Sequence, residues 1–399
     1  MKKHLFIYLL AFIASHGLQA QNAGELRYLN LVLPDNTVVS YALTDAVDIH
    51  FEDSIMVVND LGIYMEDGVK YYFSVEGGDT LGQSSLFSPG WNWWSTYMEA
   101  DDLLEQLEAG LGTNGQQIKS QTQFALNYGG MWMGQLQSVD NESCYLVNAS
   151  GPCVVEITGQ PAVAANHPIT IHPNWNWIGY PNTGVLSVAN AFGSFSPANG
   201  DQVKSQNAFA TYYGNMWIGG LNTITPGMGL LYKSNNSGSV TLVYPEANRY
   251  EEWAENPTSD NNHWKADYHA YPNNMTVMAV VELDDVELRG DNYEIAAFAN
   301  GECRGSARLM YVEPIGRYIA FLTIVGDEAS ELRFKLYNAE LGTVMETLHA
   351  TSLQYETNAT VGSLTEPYVV RFSSSTGIGE EPESHIAGGK LYVSFARKS

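Results

Sequence analysis

Along most of the chain, apolar residues recur at every second position in short runs broken by Gly, Asn and Pro, the period of half-buried strands rather than of helices. Leu26 to Val75 contains several such runs, RYLNLVL, TVVSYAL, VDIHF, IMVV and VKYYFSV, linked by turns such as Pro34-Asp35-Asn36, and predicts an all-β N-terminal unit over residues 25–88. Trp91, Trp93 and Tyr97 lie on one side of an extended segment, as do Trp175 and Trp177. Leu103, Leu104 and Leu107 break the alternation with helical spacing. Asp101 or Asp102 is placed to cap this helix and Gly110 to end it, and Val188, Ala189, Ala191 and Phe192 are a weaker second instance. From His263 to Phe372, runs such as MTVMAVVEL, YEIAAFA, CRGSARLMYV, RYIAFLTIV and LRFKLYNA predict an antiparallel sandwich over residues 263–372.

The chain also repeats itself. KSQTQFALNYGGMWMGQL, residues 119–136, returns as KSQNAFATYYGNMWIGGL, residues 204–221, an offset of 85 with 11 of 18 positions identical. Trp91-Asn92-Trp93-Trp94 answers Trp175-Asn176-Trp177-Ile178 at an offset of 84. A duplicated unit therefore occupies residues 89–160 and 161–245, read as two related domains or as two halves of one pseudo-symmetric domain. Within it, strands are expected over Phe124–Tyr128, Met131–Leu136, Phe209–Tyr213 and Met216–Leu221, with Gly129-Gly130 and Gly214-Asn215 as hairpin turns. A second hairpin is expected to close each copy, clearest where Asn235-Asn236-Ser237-Gly238 joins Leu230–Lys233 to Val240–Tyr244. Residues 246–262, polar and containing Asn256-Pro257, read as a linker, and residues 373–399 as a flexible Ser-, Gly- and Glu-rich tail. The predicted fold class is mainly β with minor α: a duplicated strand-rich α+β unit followed by an antiparallel β-sandwich.

Composition narrows the function classes. The 399 residues hold 44 Asp and Glu against 19 Lys and Arg, a net charge of −25, which leaves too few cations for a nucleic-acid surface. Residues 1–20 have the pattern of a cleavable signal peptide. Lys2 and Lys3 precede the apolar run Leu5 to Ala14, too short to span a bilayer, and Ala20 stands before Gln21. Export to the cell surface or beyond is therefore expected, with no integral membrane segment in the mature chain. Three cysteines in an exported protein leave at least one unpaired, so cores rather than a disulfide framework must hold the fold. A turn centred on Ser150 would set Cys153 against Val147 and keep it from Cys144. A shifted turn would bring the two sulfurs opposite, so a Cys144–Cys153 bridge stays open at this stage.

The string Trp175-Asn176-Trp177-Ile178-Gly179-Tyr180-Pro181, followed by Leu221, Ile224 and Pro226-Gly227-Met228-Gly229-Leu230-Leu231-Tyr232, resembles a module of exported bacterial surface proteins that opens on G-W-N-x-I/V and closes on P-G-x-G-Y. The first copy departs from it, with Asn141-Glu142-Ser143-Cys144 in place of the Pro-Gly turn. Tyr293 to Lys335, with Glu294, Ala297, Phe298, Cys303-Arg304-Gly305, Tyr318 and Phe334, is similar to a sandwich module of type IX secretion substrates. Thr376-Gly377-Ile378-Gly379 and Gly389-Lys390-Leu391-Tyr392-Val393 resemble the start of a type IX sorting domain, here expected to be truncated, which would leave the protein in the periplasm. Neither module resemblance implies an enzymatic activity.

No G-x-S-x-G, H-E-x-x-H, P-loop or Cys-x-x-Cys occurs, so no motif marks a catalytic centre, and His167 and His172 read as loop residues. The candidate ligand platforms are Trp93, Trp132, Trp177 and Trp217, whose flat faces suit sugar rings; the competing reading makes them core. Asp284 and Asp285, beside Glu282 and Glu287, are candidate Ca²⁺ ligands, against a reading as turn residues. No other cofactor is expected. The sequence therefore points to an exported, non-catalytic binding, adhesion or structural scaffold whose partner is a glycan or a surface protein. The alternative is a carbohydrate-active enzyme or its carbohydrate-binding accessory, which a cleft with two carboxylates at glycosidase spacing would favour.

Overall fold

The structure, a computed structural model, describes residues 82–247, 262–345 and 351–373 with their side chains, and the backbone of strands within 28–81 and 383–394. It is mainly β, with a few short helices. Residues 1–20, read as a signal peptide, and residues 248–261, most of the segment read as a linker, lie outside the described residues. In the N-terminal unit, strands Tyr28–Val32, Val38–Ala42 and Lys70–Ser74 form one three-stranded antiparallel sheet. Ile49–Glu52, Ile55–Val58 and Leu61–Tyr64 form another, the last being a strand the sequence reading missed. The tail, expected to be flexible, contains the paired strands Glu383–Ala387 and Lys390–Ser394.

Both repeats follow one path. In the first, the five-stranded sheet runs Met131–Gly134, Phe124–Tyr128, Gly115–Lys119, Tyr145–Ala149 and Gly90–Trp94. In the second, the order is Met216–Gly219, Phe209–Tyr213, Gln202–Lys204, Leu230–Ser234 and Asn174–Ile178. The predicted hairpins form, and all four of their central residues have positive φ, as a two-residue turn of matching twist requires. One face of each sheet packs on a helix. Leu103–Leu111 buries Leu103, Leu104, Leu107 and Leu111, while Val188–Ala191 is a single turn capped by Ser187. The first helix runs one residue past Gly110 and stops at Gly112, and Asp102 accepts a bond from Gln106 Nε2 instead of capping a backbone N–H.

The expected second hairpins do not exist. Tyr145–Ala149 already has a strand on each side, so Cys153–Pro161 finds no free edge beside it and pairs with Leu81–Phe87 in a separate sheet. In the second copy Val240–Leu242 likewise pairs with Ile169–Ile171. This settles the cysteines: Cys144 directly precedes Tyr145–Ala149 while Cys153 opens a strand of another sheet, and both are free thiols.

The last domain is one continuous ten-stranded sheet rather than two separate ones. Glu302–Val312 pairs through its first half with Tyr293–Ala299 and through its second with Arg317–Gly326, joining two wings that share a core of Met275, Val277, Ile295, Leu322, Phe334 and Leu336. Thr360–Val361 and Tyr368–Phe372 return parallel to Asn273–Leu283, so the sheet is not wholly antiparallel. Residues leading into it are tied down by the buried Glu294 carboxylate, which accepts the His263 and Trp264 N–H groups. Asn273–Leu283 is buried on both sides. Met278 and Val280 pack with Phe209, Tyr213 and Ile218 of the second repeat, which is why this strand reads as an unbroken apolar run.

Candidate functional site

The two repeats meet face to face through their opening strands. The outer edge of such a strand presents unpaired peptide groups, and a glutamine from the other repeat closes each. Trp93 N–H donates to Gln206 Oε1 (3.0 Å) and Gln206 Nε2 donates to Trp91 O (2.7 Å). In mirror fashion, Trp177 N–H donates to Gln121 Oε1 (2.9 Å) and Gln121 Nε2 donates to Trp175 O (3.0 Å). Each side chain thus copies the two bonds of a neighbouring strand's peptide unit. The intervening asparagines serve locally: Asn92 and Asn176 each bond three carbonyls, including that of the neighbouring strand, at Val147 and Tyr232.

The same pseudo-two-fold orders the lysines. Lys119 Nζ lies 5.1 Å from the Trp91 ring centroid and 5.8 Å from that of Trp177. Lys204 Nζ lies 4.3 Å from Trp175 and 5.8 Å from Trp93. Lys204 is fully buried, with Asn274 O and Asn358 Oδ1 as acceptors at 3.1 and 2.8 Å. Burial drives its pKa well below the ordinary lysine value, and the Lys233 charge adds to the effect. Burial also lowers Lys119, less completely.

Of the four candidate platform tryptophans, two come together and two do not. Trp93 is buried in the seam and donates from Nε1 to Pro272 O of the last domain, and Trp177 is half-buried across from it. Trp132 packs on the first repeat's own core beside Gly115, and Trp217 on Phe192 and Tyr212 in the second, both centroids at 5.4 Å. Asp284 and Asp285 are the two central residues of the hairpin between Leu283 and Val286, both with positive φ. Among the described residues no group of three metal-binding side chains occurs.

Where the three bodies meet, a cleft of about 400 Å³ opens. Phe87, Trp93, Trp94 and Tyr97 supply aromatic walls, Gln206 and Met228 come from the second repeat, and Asp267, Tyr268 and His269 from the segment entering the last domain. Asp267 is the single carboxylate among its lining residues. It accepts the His269 backbone N–H. His269 Nδ1 lies 2.7 Å from Trp91 O, which can only accept, so the proton sits on Nδ1. Of its hydroxyls, Ser85 Oγ accepts from Trp94 Nε1 and Gln83 Nε2, Ser84 Oγ donates to Glu156 Oε1 and Ser205 Oγ donates to Asn207 Oδ1. The polar groups lining the cleft can hydrogen-bond a neutral polar ligand, while its aromatic side chains are largely buried. The cleft has no second carboxylate for a glycosidase pair.

Sequence reading passed over Gln121, Gln206, Lys119 and Lys204, although the KSQ identity between copies carries all four. It also passed over His167, read as a loop residue. His167 bridges Glu99 (2.6 Å) and Glu142 (2.7 Å), joining the first repeat to the start of the second. Burial works against its charge, but the bonds to Glu99 and Glu142 outweigh it and raise its pKa.

No family model matches the chain, and no curated protein matches it. Among solved structures, gamma-CGTase from Alkalophilic bacillus clarkii is similar at 12% identity and a TM-score of 0.17, covering 82% of this chain and 41% of that one. The chain thus spans less than half the length of that enzyme, and a likeness this slight says nothing about fold or activity. Among the described residues no helix is long and apolar enough to cross a membrane.

Proposed function

We propose that the chain is an exported, non-catalytic scaffold that presents a rigid binding surface to a glycan or another protein. The observation that carries this reading is the reciprocal glutamine seam. The duplicated Trp and Lys residues join two repeats to each other and to a third domain, which supports a structural role for them. Export rests on the signal-like first twenty residues, and the location beyond the inner membrane on the type IX resemblance.

The aromatic cleft with its lone carboxylate favours a second reading, a carbohydrate-binding accessory protein, over a glycosidase. The test is a polysaccharide panel, followed by tryptophan emission and by release of reducing ends. Scaffold and accessory alike predict no turnover, and the accessory adds a saturable emission change. Turnover lost in Asp267→Asn would refute both.

A further inference from the structure

The face of each repeat sheet that carries the tryptophans extends beyond the seam. In the first copy, register places Trp93, Leu146, Lys119 and Phe124 in one cross-strand row, and Leu126, Tyr128, Met131 and Met133 continue that face over the hairpin. The second copy has Phe209, Thr211, Tyr213, Met216 and Ile218 at the equivalent positions. There the extension is covered except at its tip: Phe209 is 1% exposed beneath Met278, Val280, Ile319 and Phe321 of the last domain, while Met216 is 46% exposed. In the first copy it is open, with Phe124 44%, Tyr128 58%, Met131 66% and Met133 58% exposed. No charged residue lies between Phe124 and Gly134, and Leu126 makes this face more apolar than its counterpart, where Thr211 stands. On the order of 500 Å² of contiguous apolar surface is large enough on a single molecule to mark an interface.

We propose that this hairpin face is a self-association surface, and that its occupant is the same face of a second copy, related by a two-fold axis. The neighbouring part of the same face, at Trp93 and Leu146, packs in the seam on its own duplicate at Trp177 and Leu231. The hairpin is the uncovered continuation of that interface. A second copy's last domain is not available to fill it, since its matching surface is occupied by its own second repeat. Two such patches bury about 1,000 Å² in total, at the lower limit for a specific contact, so the dimer is weak and reversible, with a dissociation constant on the order of 10 µM. The chain's charge of −25 opposes approach, so salt tightens the dimer several-fold.

Sedimentation of the full chain over a concentration series tests this. A monomer–dimer equilibrium is expected, weakened at least tenfold by Tyr128→Glu with Met133→Glu, and measurably by Leu126→Thr, which only installs the second copy's residue. Leu341→Glu, at an equally exposed site outside the patch, should leave it unchanged. Peroxide oxidation of Met131 and Met133 should slow as the dimer fills. A monomer at every concentration overturns the proposal, whether the two methionines oxidise freely or are shielded by another part of the chain. So does a dimer indifferent to these variants, or one loosened by salt.

Discussion

Lys204 is the least expected residue in the molecule: a buried ammonium with indole faces and amide oxygens around it and no carboxylate bonded to it. Its folded pKa is depressed, so at neutral pH the unfolded chain holds a proton more firmly at this site than the folded one does. Stability then rises with pH towards the unfolded lysine value of about 10.4. Between pH 7 and 9.5 the wild type should gain stability that Lys204→Met does not, a difference in slope measurable by urea denaturation. The absolute effect at pH 7 is smaller, because the substitution removes a desolvation cost and also strands Asn358 Oδ1. Equal slopes in the two proteins would show that the folded pKa of Lys204 is not depressed.

At the scale of elements, the opening strands were legible because Trp and Asn alternate, and the first hairpins because Gly-Gly and Gly-Asn supply two positive φ angles in sequence. The second hairpins were misread for a physical reason. Local turn chemistry at Asn148–Pro152 and Asn235–Gly238 is the same whether the chain doubles back or crosses to another sheet, and only the occupied edges of Tyr145–Ala149 and Leu230–Ser234 decide. The reciprocal bonds were equally hidden, since a glutamine replacing a strand has no pattern of its own. Gln206→Ala removes three bonds, with Trp93 N–H, Trp91 O and Tyr268 O, and leaves the Trp93 N–H without its acceptor in a partly buried site, while Trp91 O keeps His269 Nδ1. It should cost about 2 kcal/mol of unfolding free energy. Gln121→Ala acts on the more exposed half of the seam and should cost roughly 1 kcal/mol or less. A thermal melt of both variants checks the order, which reverses if the seam is not as described.

At the scale of the whole molecule, the sequence did not show that its parts share surfaces. Phe209 reads as one more strand aromatic, and nothing near it in sequence announces Phe321. The polar linker suggests independent units, yet Trp93 bonds Pro272, Thr276 bonds Gln202, and Asn274 bonds Ser205 and Gln206 across the boundary. Residues 82–373 should therefore melt as one cooperative unit. Tryptophan fluorescence and calorimetry should give coincident midpoints, where separately folding domains would give resolved transitions.

The last domain settles on one of two equivalent seats and so breaks the symmetry that duplication created. The 400 Å³ cleft is built partly from the segment that makes this choice, at Asp267 to His269. A ligand held against Asp267 to His269 uses residues that neither repeat supplies, so calorimetric titration at this cleft would read a stoichiometry of one.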